Sequence, residues 1–165
     1  MPRLPVTKTP KCLVGGAFIR SESGRIYKLA APSGEFLCNI PLCTRKDVRN
    51  AVEAAAKAAP GWINRSAYNR GQILYRLAEM LESRAEELAA AIATTSGDRP
   101  GALREVRATI DRTIHYAGWT DKFEPLLGSV NPVASPHFSF TTTEPMGIVG
   151  ILTPENAPLL GLLSM

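Results

Sequence analysis

The sequence predicts an α/β fold, and three observations lead to that class. Short runs of β-branched and aromatic residues fill residues 12–40 and are separated by turn signals. Apolar residues then recur at helical spacing from residue 44 to residue 123. The last stretch, residues 148–163, has the order strand, tight turn and helix start, which is how an α/β unit begins. We therefore expect short antiparallel strands, three helices and the opening of a parallel sheet.

The first quarter of the chain is predicted to be extended and then hairpin-like. Residues 1–11 contain three prolines and little periodicity, which predicts an extended arm. Three strand-like runs follow, bounded by turns that end in glycine. They lie at residues 13–19, 25–29 and 36–40. Three short antiparallel strands fit this pattern best.

Cap residues mark the first helix. Thr44 can cap a helix N-terminus, and Asp47 lies three residues further on, as in a capping box. The apolar stripe that follows is rich in alanine, which predicts close packing against a neighbouring element. Pro60-Gly61 is expected to stop this helix, because proline cannot donate the next backbone hydrogen bond.

Two further helices complete the middle of the chain. Ser66 offers a second cap, and an apolar face continues from there towards Gly97, which predicts one long helix. A third helix is expected from about residue 101 to residue 123. His115 lies on this third helix beside apolar residues, and we interpret it as structural.

The stretch before the chain's final segment is predicted to contain an exposed edge. Residues 124–136 are punctuated by prolines and predict a loop. In residues 137–143, Phe138 and Phe140 alternate with polar residues, as in a half-exposed strand. Such a strand has unpaired backbone groups along its edge, so we expect it to seek a partner.

The final segment carries the strongest pattern. Residues 148–152 are uncharged and rich in β-branched residues, which predicts a buried strand. A polar turn over residues 153–156 follows, and Pro158 then precedes a short apolar run. Proline suits the first turn of a helix, because the N–H that it lacks would have no helical partner there.

Composition excludes several classes of protein. The chain has 165 residues, 45% of them hydrophobic, a net charge of +4 and a pI near 9.1. Its positive and negative residues alternate along the helices, so a nucleic-acid-binding surface is not expected. No apolar run approaches the roughly 20 residues that span a bilayer, and the N-terminus has no signal-peptide core. We expect a soluble, cytoplasmic protein.

The cysteines predict neither a disulfide scaffold nor a metal site. Cys12, Cys38 and Cys43 are odd in number and have no CxxC spacing, and both histidines are far away in sequence. Reduced thiols in a reducing compartment are the simpler expectation. A zinc site is not predicted.

The end of the chain resembles the aldehyde dehydrogenase superfamily. In that family the first strand of the cofactor domain carries E-P-x-G-V-V-G and runs into a P-W-N-x-P-L turn. The residues that match are Glu144, Pro145, Gly147, Val149, Gly150, Pro154, Asn156, Pro158 and Leu159. Two positions depart from the pattern: Glu155 stands where the family usually has tryptophan, and Ala157 where it usually has phenylalanine.

The resemblance continues upstream in modest matches. The family has a G-G-x-F strand, an S-G turn, an x-P-x-x-G turn and a Y-A-G-x-A-D-K helix ending in this order. Residues 15–18 and 23–24 correspond to the first two, and residues 32–34 and 116–122 resemble the last two. Residues 67–76 and the tail 152–164 look closest to the divergent family-16 type of aldehyde dehydrogenase domain.

The resemblance implies the N-terminal portion of an aldehyde dehydrogenase-like fold, truncated. Residues 12–123 correspond to the strands and helices of the cofactor-binding region. Residues 124–143 correspond to a loop and an oligomerisation-type strand. Residues 144–165 correspond to the first strand and turn of a Rossmann-like unit, which would be incomplete.

Aldehyde oxidation in the family implies a cysteine thiolate, an oxyanion-binding amide with a backbone N–H, a glutamate base and a nicotinamide cofactor. Only the amide has a match here, and Asn156 is the candidate oxyanion-hole residue. Thr153, Pro154 and Glu155 are cofactor-facing by position alone. None of the three cysteines matches the family nucleophile, which lies further along the chain.

We therefore expect an NAD(P)-dependent aldehyde dehydrogenase represented by an N-terminal fragment. A full-length relative would use NAD or NADP and an aldehyde, whereas this chain alone is expected to bind no cofactor and to be inactive. Its expected partners are copies of itself or a polypeptide that completes the domain. The alternative is a non-catalytic aldehyde dehydrogenase-like domain that acts in assembly or scaffolding, which Glu155, Ala157 and the short length favour. A basic nucleic-acid binder is the weakest alternative, since it rests on the pI alone.

Overall fold

The structure is a computed structural model that describes residues 9–165. The predicted extended arm, residues 1–11, falls mostly outside this range. Within residues 9–165, four strands come first, then five helices, two strands and a last helix. In chain order these elements are β1 (Cys12–Val14), β2 (Ala17–Ile19), β3 (Ile26–Ala30), β4 (Phe36–Pro41), α1 (Arg45–Ile63), α2 (Ala67–Ser83), α3 (Ala85–Ser96), α4 (Arg99–Trp119), α5 (Phe123–Leu127), β5 (Ser129–Asn131), β6 (Ser139–Thr141) and α6 (Pro158–Ser164).

The described strands form three separate antiparallel hairpins. β1 pairs with β2, β3 with β4 and β5 with β6. The predicted single run over residues 13–19 is therefore wrong, because the chain folds back on itself inside it. Gly15 and Gly16 have φ values of +58° and +80°, the left-handed conformation that a two-residue hairpin turn requires.

The first helix begins where predicted and ends later. The Thr44 hydroxyl accepts a hydrogen bond from the Asp47 backbone N–H at 3.4 Å, and the Asp47 carboxylate accepts one from the Thr44 N–H at 2.7 Å. The capping box is thus confirmed. The predicted stop at Pro60 is wrong, since α1 continues to Ile63. Pro60 lies in the last turn, where the Asn64 N–H still bonds to its carbonyl at 3.0 Å.

The apolar stripe of α1 is not packed as expected. Val48 is 59% exposed and Val52 is 48% exposed. Within the described residues, α1 contacts mainly β1, and Ala54 lies 3.8 Å from where a Cβ on Gly15 would be. The sequence pattern predicted the helix and its apolar face correctly. It did not predict whether another element would pack on that face.

The second predicted helix is two helices. Ser66 caps α2 as expected, accepting from the Asn69 N–H at 3.2 Å, and Gly97 ends α3 with φ +72°. Arg84 breaks the helix between them, with φ −117° and ψ 17°. After the break, α3 packs against α4 and Ala89 is fully buried in the core. Such tertiary packing can override the local pattern from which one long helix was predicted.

α4 is the centre of the molecule, and α2, α3 and α6 pack against it. The buried core is small and rich in alanine. It consists of Ala78, Ala89, Ala102, Val106 and Ile110. Small residues also bring α2 and α4 close together, because a Cβ on Gly71 would lie 2.7 Å from the Thr120 hydroxyl. The third predicted helix ends at Trp119 rather than residue 123, and the separate short helix α5 follows.

In residues 124–165 the structure differs from the sequence-based prediction at two strands. β5 lies within the stretch predicted as loop, and β6 confirms a strand within residues 137–143. The predicted buried strand over residues 148–152 is wrong, because no strand forms there and Val149 is 57% exposed. A parallel strand needs hydrogen-bonded neighbours, and no described strand lies beside this segment. The helix start at Pro158 is confirmed.

Candidate functional site: the turn before the last helix

The turn that holds Asn156 is exposed. Thr153, Pro154, Glu155 and Asn156 all have solvent-accessible side chains. Within residues 9–165 the Asn156 amide makes no hydrogen bond to another side chain or to the backbone. Both of its N–H donors are therefore available to a ligand or to water.

A carboxylate from α4 fixes the helix that follows this turn. Glu105 Oε1 accepts hydrogen bonds from the backbone N–H groups of Leu159 at 2.8 Å and Leu160 at 3.2 Å. These groups lie in the first turn of α6, where backbone donors have no helical acceptor. A charged acceptor makes such bonds stronger than those between neutral groups. Glu105 therefore holds the start of α6, and with it the turn, against α4.

Sequence reasoning missed Glu105. It lies on the same helix as the buried residue Val106, and its partner Leu159 is 54 positions away along the chain. Only one signal was available, an acidic residue next to the apolar positions of α4. That signal does not identify a partner so distant in sequence.

A glycine lets the turn lie close to α6. Gly161 is buried, and a Cβ at this position would overlap the Pro154 ring, reaching 3.0 Å from its Cγ. Such a separation is tighter than van der Waals contact allows. Pro154 therefore packs directly on the helix backbone, one residue before Glu155 and two before Asn156.

The far end of α6 is also tied to α4. The Tyr116 hydroxyl donates to the Ser164 carbonyl at 3.0 Å, and Arg112 Nη1 donates to the Ser164 hydroxyl at 3.4 Å. Tyr116 belongs to the helix ending that resembles the family motif. α6 is thus held at both ends, and the turn is presented from a fixed helix.

The turn borders a cavity of about 570 Å³. β3, α3, α4 and the start of α6 contribute to its wall, along with Asn156. Three carboxylates also line it, from Asp98, Glu105 and Glu155. No lysine or arginine is among the described residues that line this cavity. The cavity is therefore acidic.

The described residues do not fit a dinucleotide at this cavity. A polyphosphate needs cations or free backbone N–H groups, and here the N–H groups at the start of α6 already bind Glu105. Glu155, at the position where the family has tryptophan, adds a negative charge to the same wall. The cofactor-facing role of Thr153, Pro154 and Glu155 stays a prediction.

None of the three cysteines lines this cavity. Cys38 lies in β4, opposite Leu29 of β3. Cys12 and Cys43 lie together, with their Sγ atoms 3.2 Å apart. The hydrogen bond to Cys12, with some burial, raises the pKa of the Cys43 thiol to about 11, which makes it a weak nucleophile at neutral pH.

Residues 9–165 contain neither a metal cluster nor a membrane-spanning helix. No group of three or more His, Cys, Asp and Glu side chains there is arranged to hold a metal ion. None of the helices in that range has the length and apolarity that crossing a bilayer would demand. The two histidines have local partners: His115 packs against the rings of Tyr116 and Trp119, and His137 contacts the Ser135 hydroxyl at 2.9 Å.

Known proteins resemble this chain in both sequence and fold. The aldehyde dehydrogenase family model matches residues 18–165. Cytosolic 10-formyltetrahydrofolate dehydrogenase from Pongo abelii is 37% identical over 158 residues, which cover 90% of this chain and 17% of that protein. The NAD-dependent aldehyde dehydrogenase from Sinorhizobium meliloti superposes with a TM-score of 0.87 at 29% identity, covering 99% of this chain and 33% of that one.

A third relative was solved with a nucleotide. PnpE in complex with nicotinamide adenine dinucleotide superposes with a TM-score of 0.87 at 28% identity, covering 94% of this chain and 32% of that one. The fold and the order of motifs thus define an α/β protein of the aldehyde dehydrogenase type. The chain belongs to the aldehyde dehydrogenase family. It spans at most a third of the length of these three relatives.

Proposed function

We propose that this chain is the N-terminal part of an NAD(P)-dependent aldehyde dehydrogenase and that it contributes the oxyanion-binding amide. One observation carries the proposal: the Asn156 amide is unpaired and exposed at a cavity, on a turn that Glu105 and Gly161 hold in place. Oxyanion stabilisation requires a hydrogen-bond donor at a fixed position, and the backbone beside Asn156 is fixed in this way.

The chemistry at Asn156 follows from its amide. When a nucleophile adds to an aldehyde carbonyl, negative charge develops on the oxygen, and the Asn156 NH₂ would donate a hydrogen bond to it. Such a donor accelerates the reaction because the bond is stronger to the oxyanion than to the ground-state carbonyl. The nucleophile would come from further residues of the domain, since no described cysteine lines the cavity. The family resemblance leads us to propose the same origin for the glutamate base and the cofactor site.

The large exposed surface supports the proposal that another stretch of polypeptide completes the domain. Its solvent-accessible area is 12,650 Å². A folded monomer of 17.8 kDa is expected to expose only about 8,000 Å². Large apolar side chains such as Phe138, Val149 and Leu152 are among those left exposed. We infer that this surface is covered by further residues of the domain or by another copy, in the cytoplasm, where the reducing environment favours free thiols.

Non-catalytic assembly is the second candidate. The acidic wall formed by Asp98, Glu105 and Glu155 favours it, because such a wall opposes a polyphosphate cofactor. In that case the exposed hairpin of β5 and β6 would serve association, with Phe138 and Phe140 side by side on it, their ring centroids 5.5 Å apart. The bound partner would then be another polypeptide and no aldehyde would be oxidised.

The test is activity of the protein as its own cell makes it. Protein isolated under native conditions is assayed for aldehyde-dependent formation of NADH or NADPH, and its intact mass is measured. We expect a mass well above the 17.8 kDa of these residues, together with activity. A mass of 17.8 kDa without activity would leave assembly as the function.

A further inference from the structure

Two thiols that the candidate site does not use lie against each other. The Cys12 and Cys43 Sγ atoms are 3.2 Å apart, although the residues are 31 positions apart in sequence. A disulfide bond is about 2.05 Å long, so the sulfurs need to approach by only about 1.1 Å. Both cysteines are free, Cys12 is half-buried and Cys43 is exposed.

The backbone on each side of the pair is fixed. Cys12 begins β1 and is paired with Ile19 of β2. Cys43 lies between two hydrogen-bonded residues. The Leu42 N–H donates to the Arg25 carbonyl at 2.9 Å, and the Thr44 N–H donates to the Asp47 carboxylate at 2.7 Å. The proximity of the two sulfurs therefore follows from the fold of both segments.

The third cysteine is differently placed. Cys38 lies in the middle of β4 and makes no sulfur contact with Cys12 or Cys43 among the described residues. The chain thus contains one matched control thiol.

We propose that Cys12 and Cys43 form a reversible disulfide that ties the first hairpin to the N-terminus of α1. The oxidant is a small disulfide such as oxidised glutathione. One protein thiolate attacks it and releases one glutathione thiolate; the second protein thiolate then attacks the mixed disulfide and releases the other. The two cysteines lose two protons and two electrons in total, and these appear as two glutathione thiols.

The groups around the two sulfurs determine the conditions under which the disulfide forms. The hydrogen bond from Cys12, then burial and to a smaller extent the Asp47 charge, raise the pKa of the Cys43 thiol, so it stays protonated at neutral pH. Lys46 does not offset this, because its ammonium is paired with Glu22 at 2.6 Å. The dithiol form therefore persists in a reducing compartment, and oxidation requires an excess of the small disulfide.

The test is oxidation of the whole chain by excess oxidised glutathione, followed by intact mass and peptide mapping. Trypsin leaves Cys38 and Cys43 on one peptide, residues 29–45, so the Cys38→Ser chain is used beside the natural one. Both are expected to form a cross-link between the peptides of Cys12 and Cys43, with a mass lower by two hydrogen atoms. Dithiothreitol should restore the mass.

The variants with a single substitution test whether the disulfide forms specifically between Cys12 and Cys43. Cys12→Ser and Cys43→Ser should form no internal cross-link, and the remaining partner should carry a glutathione instead. A Cys12 peptide joined to Cys38 would overturn the proposal. The proposal would also be overturned if the Cys38→Ser chain carried a separate glutathione on Cys12 and on Cys43. Cross-links that form only between two chains would overturn it as well.

Discussion

At the scale of single residues, Glu105 determines where the candidate oxyanion residue lies. Its carboxylate, on α4, binds two backbone N–H groups at the start of α6, and Asn156 lies just before that helix. Glu105 thus sets the position of Asn156 through the backbone of α6. Glu105 is therefore a positioning residue.

Removing that carboxylate should loosen α6. Glu105→Ala leaves the N–H groups of Leu159 and Leu160 without their acceptor, so we expect the free energy of unfolding to fall by about 1–3 kcal/mol. Glu105→Gln keeps a side-chain oxygen and should lose less. Urea denaturation measures both, and Glu53→Ala at an exposed position of α1 is the control. Equal losses in the Ala and Gln variants would contradict the bonding role.

Gly161 gives a second residue-scale prediction. A Cβ here would overlap the Pro154 ring, so Gly161→Ala should destabilise the chain by about 1–3 kcal/mol despite the better helix propensity of alanine. Gly61→Ala is the matched control, because Gly61 is also helical and a Cβ there would have no neighbour within 4 Å. Gly61→Ala should stabilise by up to about 1 kcal/mol. A stabilised Gly161→Ala chain would contradict the close packing of the turn.

Three residue-scale predictions at helix ends are confirmed, although the predicted helix stop at Pro60 is wrong. Thr44, Ser66 and Gly97 act on backbone groups a few residues away, and all three occupy the helix ends predicted for them. Asn156 was identified by its neighbours in a turn motif, and its role stays a prediction. Glu105 was not identifiable, because its partner is 54 positions distant.

At the scale of elements, the N-terminus of α1 is held to the first strands by Asp47. Its carboxylate accepts from the Thr44 N–H at 2.7 Å, the Ser21 hydroxyl at 2.7 Å and the Glu22 N–H at 3.1 Å. These hydrogen bonds, with those to the Thr44 and Glu22 backbone largest, lower the pKa of Asp47 from 3.8 to about 2. The charged form is therefore the one that the fold favours.

The lowered pKa predicts a pH dependence of stability. Because Asp47 binds a proton less readily in the folded chain, its contribution is complete above about pH 4 and is lost as the pH falls towards 2. Asp47→Asn should be less stable than the natural chain at pH 7, and the difference should shrink between pH 4 and pH 2. Urea denaturation at several pH values measures it. A difference that stays constant over this range would contradict the predicted role of the Asp47 charge.

Two of the wrong predictions concern elements that depend on distant contacts, whereas the errors at residues 13–19 and at Pro60 are local. Arg84 breaks a continuous apolar pattern so that Ala89 can reach the core. Residues 148–152 have the composition of a buried strand, yet they form none, because a strand exists only through hydrogen bonds to its neighbours. The composition of a segment determines which secondary structure it can form. The neighbouring elements determine whether that structure forms.

At the scale of the whole molecule, the surface is too large for the mass. Among the described residues, five apolar residues form the buried core, and the exposed area exceeds the expectation for a monomer by roughly 60%. The α/β class and the family were predictable from motif order, and the comparisons confirm both. The small size of the described core was not visible in a composition that is 45% hydrophobic.

This surface predicts association in solution. The 165-residue chain alone should sediment as oligomers or aggregates at micromolar concentration, because exposed apolar surface and an unpaired sheet edge favour it. Phe138→Ser with Phe140→Ser should reduce the associated fraction, since both rings are exposed on the β6 hairpin. A stable, monodisperse monomer in analytical ultracentrifugation would contradict this prediction.

The most direct test of the central claim compares Asn156 with alanine in the protein isolated from its own cell. Aldehyde-dependent formation of NADH or NADPH is measured for both forms. We predict activity in the natural protein and a kcat about 100- to 1,000-fold lower in Asn156→Ala, the usual loss for one oxyanion donor. Circular dichroism should show an unchanged fold. Equal rates in the two forms, or no activity in the natural protein, would contradict the claim.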